Sequence, residues 1–174
     1  MEILTEVILG RRLNQEISLR VYKINKAMSE ERVLPYIQGA DKLVSRFGAF
    51  PIFSDSEVLT VVLHRDSLAA TFTLLVSEFK DRVHCGNVEI VLEFLDIENL
   101  RLEGFNYQNV VSNLTFDMAI EQSQYSQVEV PRIHVDLDTN FGVWATFTCS
   151  RVVVQRVETS TRRTGDPSYL KERN

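Results

Sequence analysis

From Glu57 to Val154 the chain alternates apolar and polar residues with a period of two, and this repeat constrains the fold more than any other feature. Successive side chains on a strand point to opposite faces, so the pattern calls for sheets with one buried and one wet face. Leu59, Val61 and Leu63 alternate with Thr60 and His64, and after an Arg65-Asp66-Ser67 turn Phe72, Leu74 and Val76 complete a hairpin. Gly86-Asn87 reads as the turn before Val88, Ile90, Leu92 and Phe94, which oppose Glu89 and Glu93. Beyond a short Leu100, Leu102 run, Val110, Leu114, Phe116, Met118 and Ile120 face one way, while Asn113, Thr115, Asp117 and Glu121 face the other. A polar loop over 122–127 leads to Ile133, Val135 and Leu137, opposed by Arg132, His134, Asp136 and Asp138. Asp138-Thr139-Asn140 reads as a reversal into the clearest strand, Phe141, Val143, Ala145, Phe147 and Cys149, which Val152 and Val154 continue or pair with. Trp144 takes the opposite parity and is expected to pack on the core.

Helical spacing is confined to the N-terminal third. Leu43, Val44 and Phe47, followed by Gly48, predict a helix from about Ala40 to Phe47. Ser29-Glu30-Glu31-Arg32 resembles a second helix start that Pro35 interrupts, and residues 1–27 carry both periods. Too few helical crossovers remain to connect parallel strands. The expected fold is therefore α+β and mainly β, with antiparallel sheet packed as a sandwich or strongly bent and one or two short N-terminal helices. A single domain is expected over 1–157, with 158–174 a polar, mobile tail.

Charge narrows the partners. The chain carries −5 overall, which disfavours nucleic acid, since phosphate contacts need a basic surface. Between Glu89 and Asp138 ten acids face two bases, Arg101 and Arg132, giving that segment −8. A one-signed surface raises the association rate of a basic partner. No apolar run approaches the roughly 20 residues of a membrane span. Acids stand at Glu2 and Glu6 where a secretory signal would be basic, so a cytoplasmic location is expected.

Candidate chemistry is sparse. Cys85 and Cys149 form no C-x-x-C pair and are expected as reduced, mostly buried thiols. His134 with Asp136 and Asp138 falls short of a zinc or calcium ligand set and reads as a solvated strand face, so no metal or cofactor is expected. His84 and Cys85 are strand neighbours that point apart, which disfavours a Cys-His pair. With no nucleophile elbow, phosphate loop or His-Glu-x-x-His helix, no catalytic residue is assigned and the chain reads as a non-enzyme. A hydrolase using His134 with Asp136 is the reading that activity loss in His134→Ala would require.

The segment Gly104-Phe105-Asn106-Tyr107-Gln108-Asn109 reads as a corner between two strands, with glycine and carboxamides suited to tight backbone. A small-molecule pocket near Asn106 to Asn109 is the alternative function. An exposed edge strand near Val152 would let two copies pair as a homodimer.

Two blocks carry a family resemblance. Phe47, Gly48, Pro51, Phe53, Asp55, Glu57 and Val58, then Leu102, Gly104, Phe105, Asn106, Gln108, Asn109 and Val110, resemble the Immunity protein 50 family of bacterial polymorphic toxin systems. The likeness spans roughly 33–157; Ser54 stands where histidine is usual, Ser56 where alanine is and Phe50 where tryptophan is common. The resemblance implies a binder that holds a cognate toxin domain inactive without catalysis of its own. Within that reading Asp117, Glu121, Asp136 and Asp138 are the expected toxin-binding residues, and the motif residues are expected to serve the fold.

Overall fold

The computed structural model describes residues 33–122 and 128–163. Over them the period-two segments form nine strands of one sheet: β1 (Ile37–Gln38), β2 (Glu57–His64), β3 (Ala69–Lys80), β4 (Val83–Leu95), β5 (Glu98–Glu103), β6 (Val110–Gln122), β7 (Glu129–Phe141), β8 (Trp144–Cys149) and β9 (Arg151–Ser160). A 3-10 turn, Leu34–Tyr36, holds Pro35 in its first positions, and the one described α-helix, α1, spans Ala40–Phe47 as its spacing predicts. The strand order is β1-β9-β4-β3-β2-β6-β7-β8-β5, an open sheet whose pairs are all antiparallel except β1 with β9.

The sheet is strongly bent because two strands turn the same corner together. The β4–β9 ladder ends at Leu95↔Arg151 and continues as the β5–β8 ladder from Glu98↔Thr148. The Ser150 amide donates to the Leu95 carbonyl at 3.0 Å across that bend. One arm, β1-β9-β4-β3-β2, thus folds over the other, β6-β7-β8-β5, and the arms rejoin at Glu57↔Val110. The core fills the space between them. Phe72, Phe94 and Phe147 meet edge to face or tilted with centroids 5.0–5.9 Å apart, and Phe50, Phe53 and Phe116 form a second trio at 5.9–6.5 Å. Helix α1 closes one end, burying Leu43, while Lys42 Nζ donates to the Val154 carbonyl and Arg46 pairs with Glu78.

Alternation placed the inner faces of β3, β4, β7 and β8 correctly: Phe72, Leu74, Ile90, Leu92, Phe94, Ile133, Val135, Leu137, Ala145 and Phe147 are all buried. Other expectations need correction. The β3–β4 turn is Asp81-Arg82, not Gly86-Asn87, which lie inside β4. The β7–β8 turn falls at Gly142, two residues beyond the expected reversal, leaving Phe141 exposed. Bulges at Val110/Val111 and Val111/Asn113 bury Val111, and Ile120 lies exposed on an arm that runs past the core. In β2 a bulge buries Val58, and Leu63 is exposed. Val152 is paired on both sides, with Ile37 and with Phe94, so it is no open edge. Cys149 is buried but Cys85 is exposed. Strand β9 takes in Glu158, Thr159 and Ser160. The readings of residues 1–32, of 123–127 and of the tail from 164 onward lie outside the described residues.

Candidate functional site

The two motif blocks, about fifty residues apart in sequence, converge at one corner. Val58 N–H donates to the Asn109 carbonyl at 2.8 Å, Asp55 N–H to Val111 O at 2.9 Å, and Val111 N–H to Ser56 O at 2.8 Å. Asn109, only 3% exposed, sits at the centre. Its Oδ1 accepts from Asn106 N–H (3.0 Å) and Val143 N–H (3.1 Å), and its Nδ2 donates to Asn106 O (2.8 Å) and Val58 O (3.4 Å). Every donor and acceptor of that carboxamide is engaged. Asn106 closes an Asx turn, accepting from Gln108 N–H at 2.7 Å and donating to Gly104 O at 3.2 Å.

Glycine is required where the loops touch. A Cβ on Gly142 (φ 92°) would overlap Asn109 Oδ1 and the Gln108 carbonyl, and one on Gly104 (φ 75°) would lie 2.5 Å from Gly142 O. Asp55 and Phe53 both adopt left-handed φ, and Ser56, fully buried, donates its hydroxyl to the Phe53 carbonyl. With these partners in place, the carboxamides of Asn106 and Asn109 are committed to backbone and poorly suited to a ligand. Two open clefts lie away from the corner: one of about 440 Å³ between α1 and β9, lined by Lys42, Arg46 and Arg156, and one of about 230 Å³ beside Leu63, Leu68 and Ile97.

The acidic residues fall on the outer face of the β6-β7-β8-β5 arm. In register, Glu98, Thr148, His134 and Asp117 form one row across it, Arg101, Thr146, Asp136 and Thr115 the next. Glu103 opposes Trp144, and Asp138 opposes Asn113. Asp117, Asp136 and Asp138 therefore lie together, with Glu121 further out along β6. Glu98, Glu103, Asp117, Glu121, Asp136 and Asp138 against Arg101 and Arg132 give this face −4 with His134 neutral. The −8 segment is not one surface, however. Glu89 and Glu93 stand on β4 in the other arm, where Arg156 pairs with Glu89 and Gln155 bonds Glu93.

Arg132, expected on the wet side, is 6% exposed. It pairs with Glu98 at 2.8 Å and donates to the Asp96 carbonyl at 2.7 Å, tying β7 to the bend. Its Nε and the Oγ1 of neighbouring Thr148 are buried without a hydrogen-bond partner among the described residues. Beneath them, burial pushes the Cys149 thiol up to about 12, with Arg132 opposing the shift. His134 is exposed, its Nε2 3.5 Å from Thr146 Oγ1. Among the described residues no three His, Cys, Asp or Glu side chains gather as a metal site, and no helix is long and apolar enough to cross a membrane.

These features define a mainly β, single-sheet α+β protein with a polarised surface and a fully bonded corner. The sequence model described as Immunity protein 50 matches residues 39–160, and the chain belongs to that family. No curated protein and no solved structure matches it.

Proposed function

We propose that the chain is a cytoplasmic immunity protein that binds and neutralises a cognate toxin domain of a bacterial polymorphic toxin system, by complex formation and with no catalytic group of its own. The observation that carries the reading is membership of the immunity family across 39–160. The acidic outer arm supports a basic partner, because six carboxylates outnumber Arg101 and Arg132 on its one face. Asp117, Glu121, Asp136 and Asp138 are the residues we assign to that contact.

The test is co-expression in bacteria with the toxin domain encoded beside this gene, followed by co-purification. Restored growth and a stable complex are expected. Charge reversal of the four acids to lysine should lower the association rate about tenfold or more at low salt and flatten its salt dependence. Toxicity persisting beside a folded chain and an active toxin would refute the pairing, and unchanged salt dependence would remove the acidic arm from it.

A further inference from the structure

Three large aromatic side chains are turned to solvent where the two motif blocks meet. Phe105, Tyr107 and Phe141 are 48%, 75% and 65% exposed. Their backbones are brought together by the approach of Gly104 and Gln108 to Gly142, the neighbour of Phe141. The corner itself is held by Asn106, Asn109 and the two glycines, and its hydrogen bonds use no group from these rings. Half-buried Trp144 lies two residues from Gly142, flanked in register by Glu103 on β5 and near Asp138 on β7.

We infer that this aromatic corner is the anchoring part of the docking surface, and that its occupant is a basic protein surface presenting an apolar or arginine side chain to the rings. The inference rests on the immunity reading and adds to it where the binding energy is concentrated. Contiguous exposed apolar surface marks interaction sites, and Tyr, Phe and Trp dominate the few residues that hold interfaces together. The sign of the adjoining face selects the occupant. The adjoining arm, with Glu103 and Asp138 nearest the corner and −4 over its outer face, repels nucleic acid and anionic lipid, and a second copy would bring one −4 face against another. A basic partner is attracted, and arginine stacks favourably on exposed rings. Acids and aromatics then divide the work: the outer arm governs encounter, and the corner governs release.

The experiment uses the full chain and the catalytically silenced toxin domain encoded beside its gene, with association and dissociation rates measured at low and high salt. Tyr107→Ser with Phe141→Ser should raise the dissociation rate on the order of 30-fold or more, leaving the association rate and its salt dependence unchanged. Leu68→Ser, a 58% exposed residue at the β2–β3 turn, is the control and should change neither. Thermal unfolding should be unaltered in every variant, because the replaced side chains are exposed. If the double variant dissociates like the parent chain, or only as much faster as Leu68→Ser does, the aromatic corner is not the anchor and the immunity reading stands without it. If the parent chain itself does not bind, the immunity reading fails and the docking inference falls with it.

Discussion

Replacing Asn109 by alanine should cost about 3 kcal/mol of folding stability. The substitution removes four hydrogen bonds at once, but they differ in weight. Asn106 is exposed, so its amide and carbonyl regain water when the carboxamide is lost. Val143 N–H does not: Val143 is fully buried, and its orphaned donor costs about 1–3 kcal/mol. Val58 O is also interior, though its bond is long at 3.4 Å and contributes less. Adding the lost ordering of the Asx turn brings the sum to about 3 kcal/mol, a large part of a domain's usual 5–15 kcal/mol. For a chain of this size that is a fall in Tm of roughly 6–12 °C. Urea unfolding followed by circular dichroism measures it directly, and Asn109→Asp should be at least as harmful, since a carboxylate would face the Val58 and Asn106 carbonyls. A loss under about 1 kcal/mol for Asn109→Ala would refute the keystone role.

Three further outcomes follow from the geometry. Thr148→Val keeps the shape and removes a buried hydroxyl that has no partner among the described residues, so it should be neutral or stabilising by about 1 kcal/mol in the same urea assay. Arg132→Met should destabilise by about 2–3 kcal/mol, because it strands Glu98 and the Asp96 carbonyl at the bend; an unchanged midpoint would mean the pair contributes nothing. In the native chain a thiol reagent should label Cys85 alone, since Cys149 is buried and burial pushes its thiol up to about 12, and two equivalents should react only after unfolding.

The sequence revealed inner faces better than ends. Where a strand crosses the core centre, as in β3, β4, β7 and β8, burial and parity coincide and alternation identifies the buried set. The β3–β4 turn is hidden in the sequence because non-glycine residues take positive φ there. Asp81 (φ 50°) and Arg82 (φ 66°) close the β3–β4 hairpin in two residues, without the Asn-Gly signature such turns favour, while the nearby Gly86-Asn87 carries a turn signal inside β4. Bulges defeat parity outright, which is why Val111 rather than Val110 is buried. Arg132 was illegible for another reason. Its position on β7 is outward, and only the bend in β4–β5 brings the Asp96 carbonyl and Glu98 over it.

The geometry of the candidate site is legible only in halves. Asp117, Glu121, Asp136 and Asp138 do share one outer face, but Glu89 and Glu93, close in sequence, are carried by the bend to the other arm. The exposed aromatic group is not legible in the sequence, because Phe105 and Tyr107 come from one loop and Phe141 from another, and the parity of Phe141 matches that of the core residues after it.

This division predicts how variants should separate. Asn109 has every polar atom of its side chain engaged inside the corner, so it has no remaining capacity to contact a toxin. On the proposed immunity reading, Asn109→Ala should therefore weaken neutralisation only by lowering the folded fraction, and lowering the temperature or adding a stabilising osmolyte should restore binding. Asp138→Lys lies on exposed strand surface, where substitution is nearly neutral for folding, so it should weaken association without moving Tm and should not be rescued that way. If Asn109→Ala retained full stability yet lost toxin binding, the motif corner would be part of the recognition surface rather than its support.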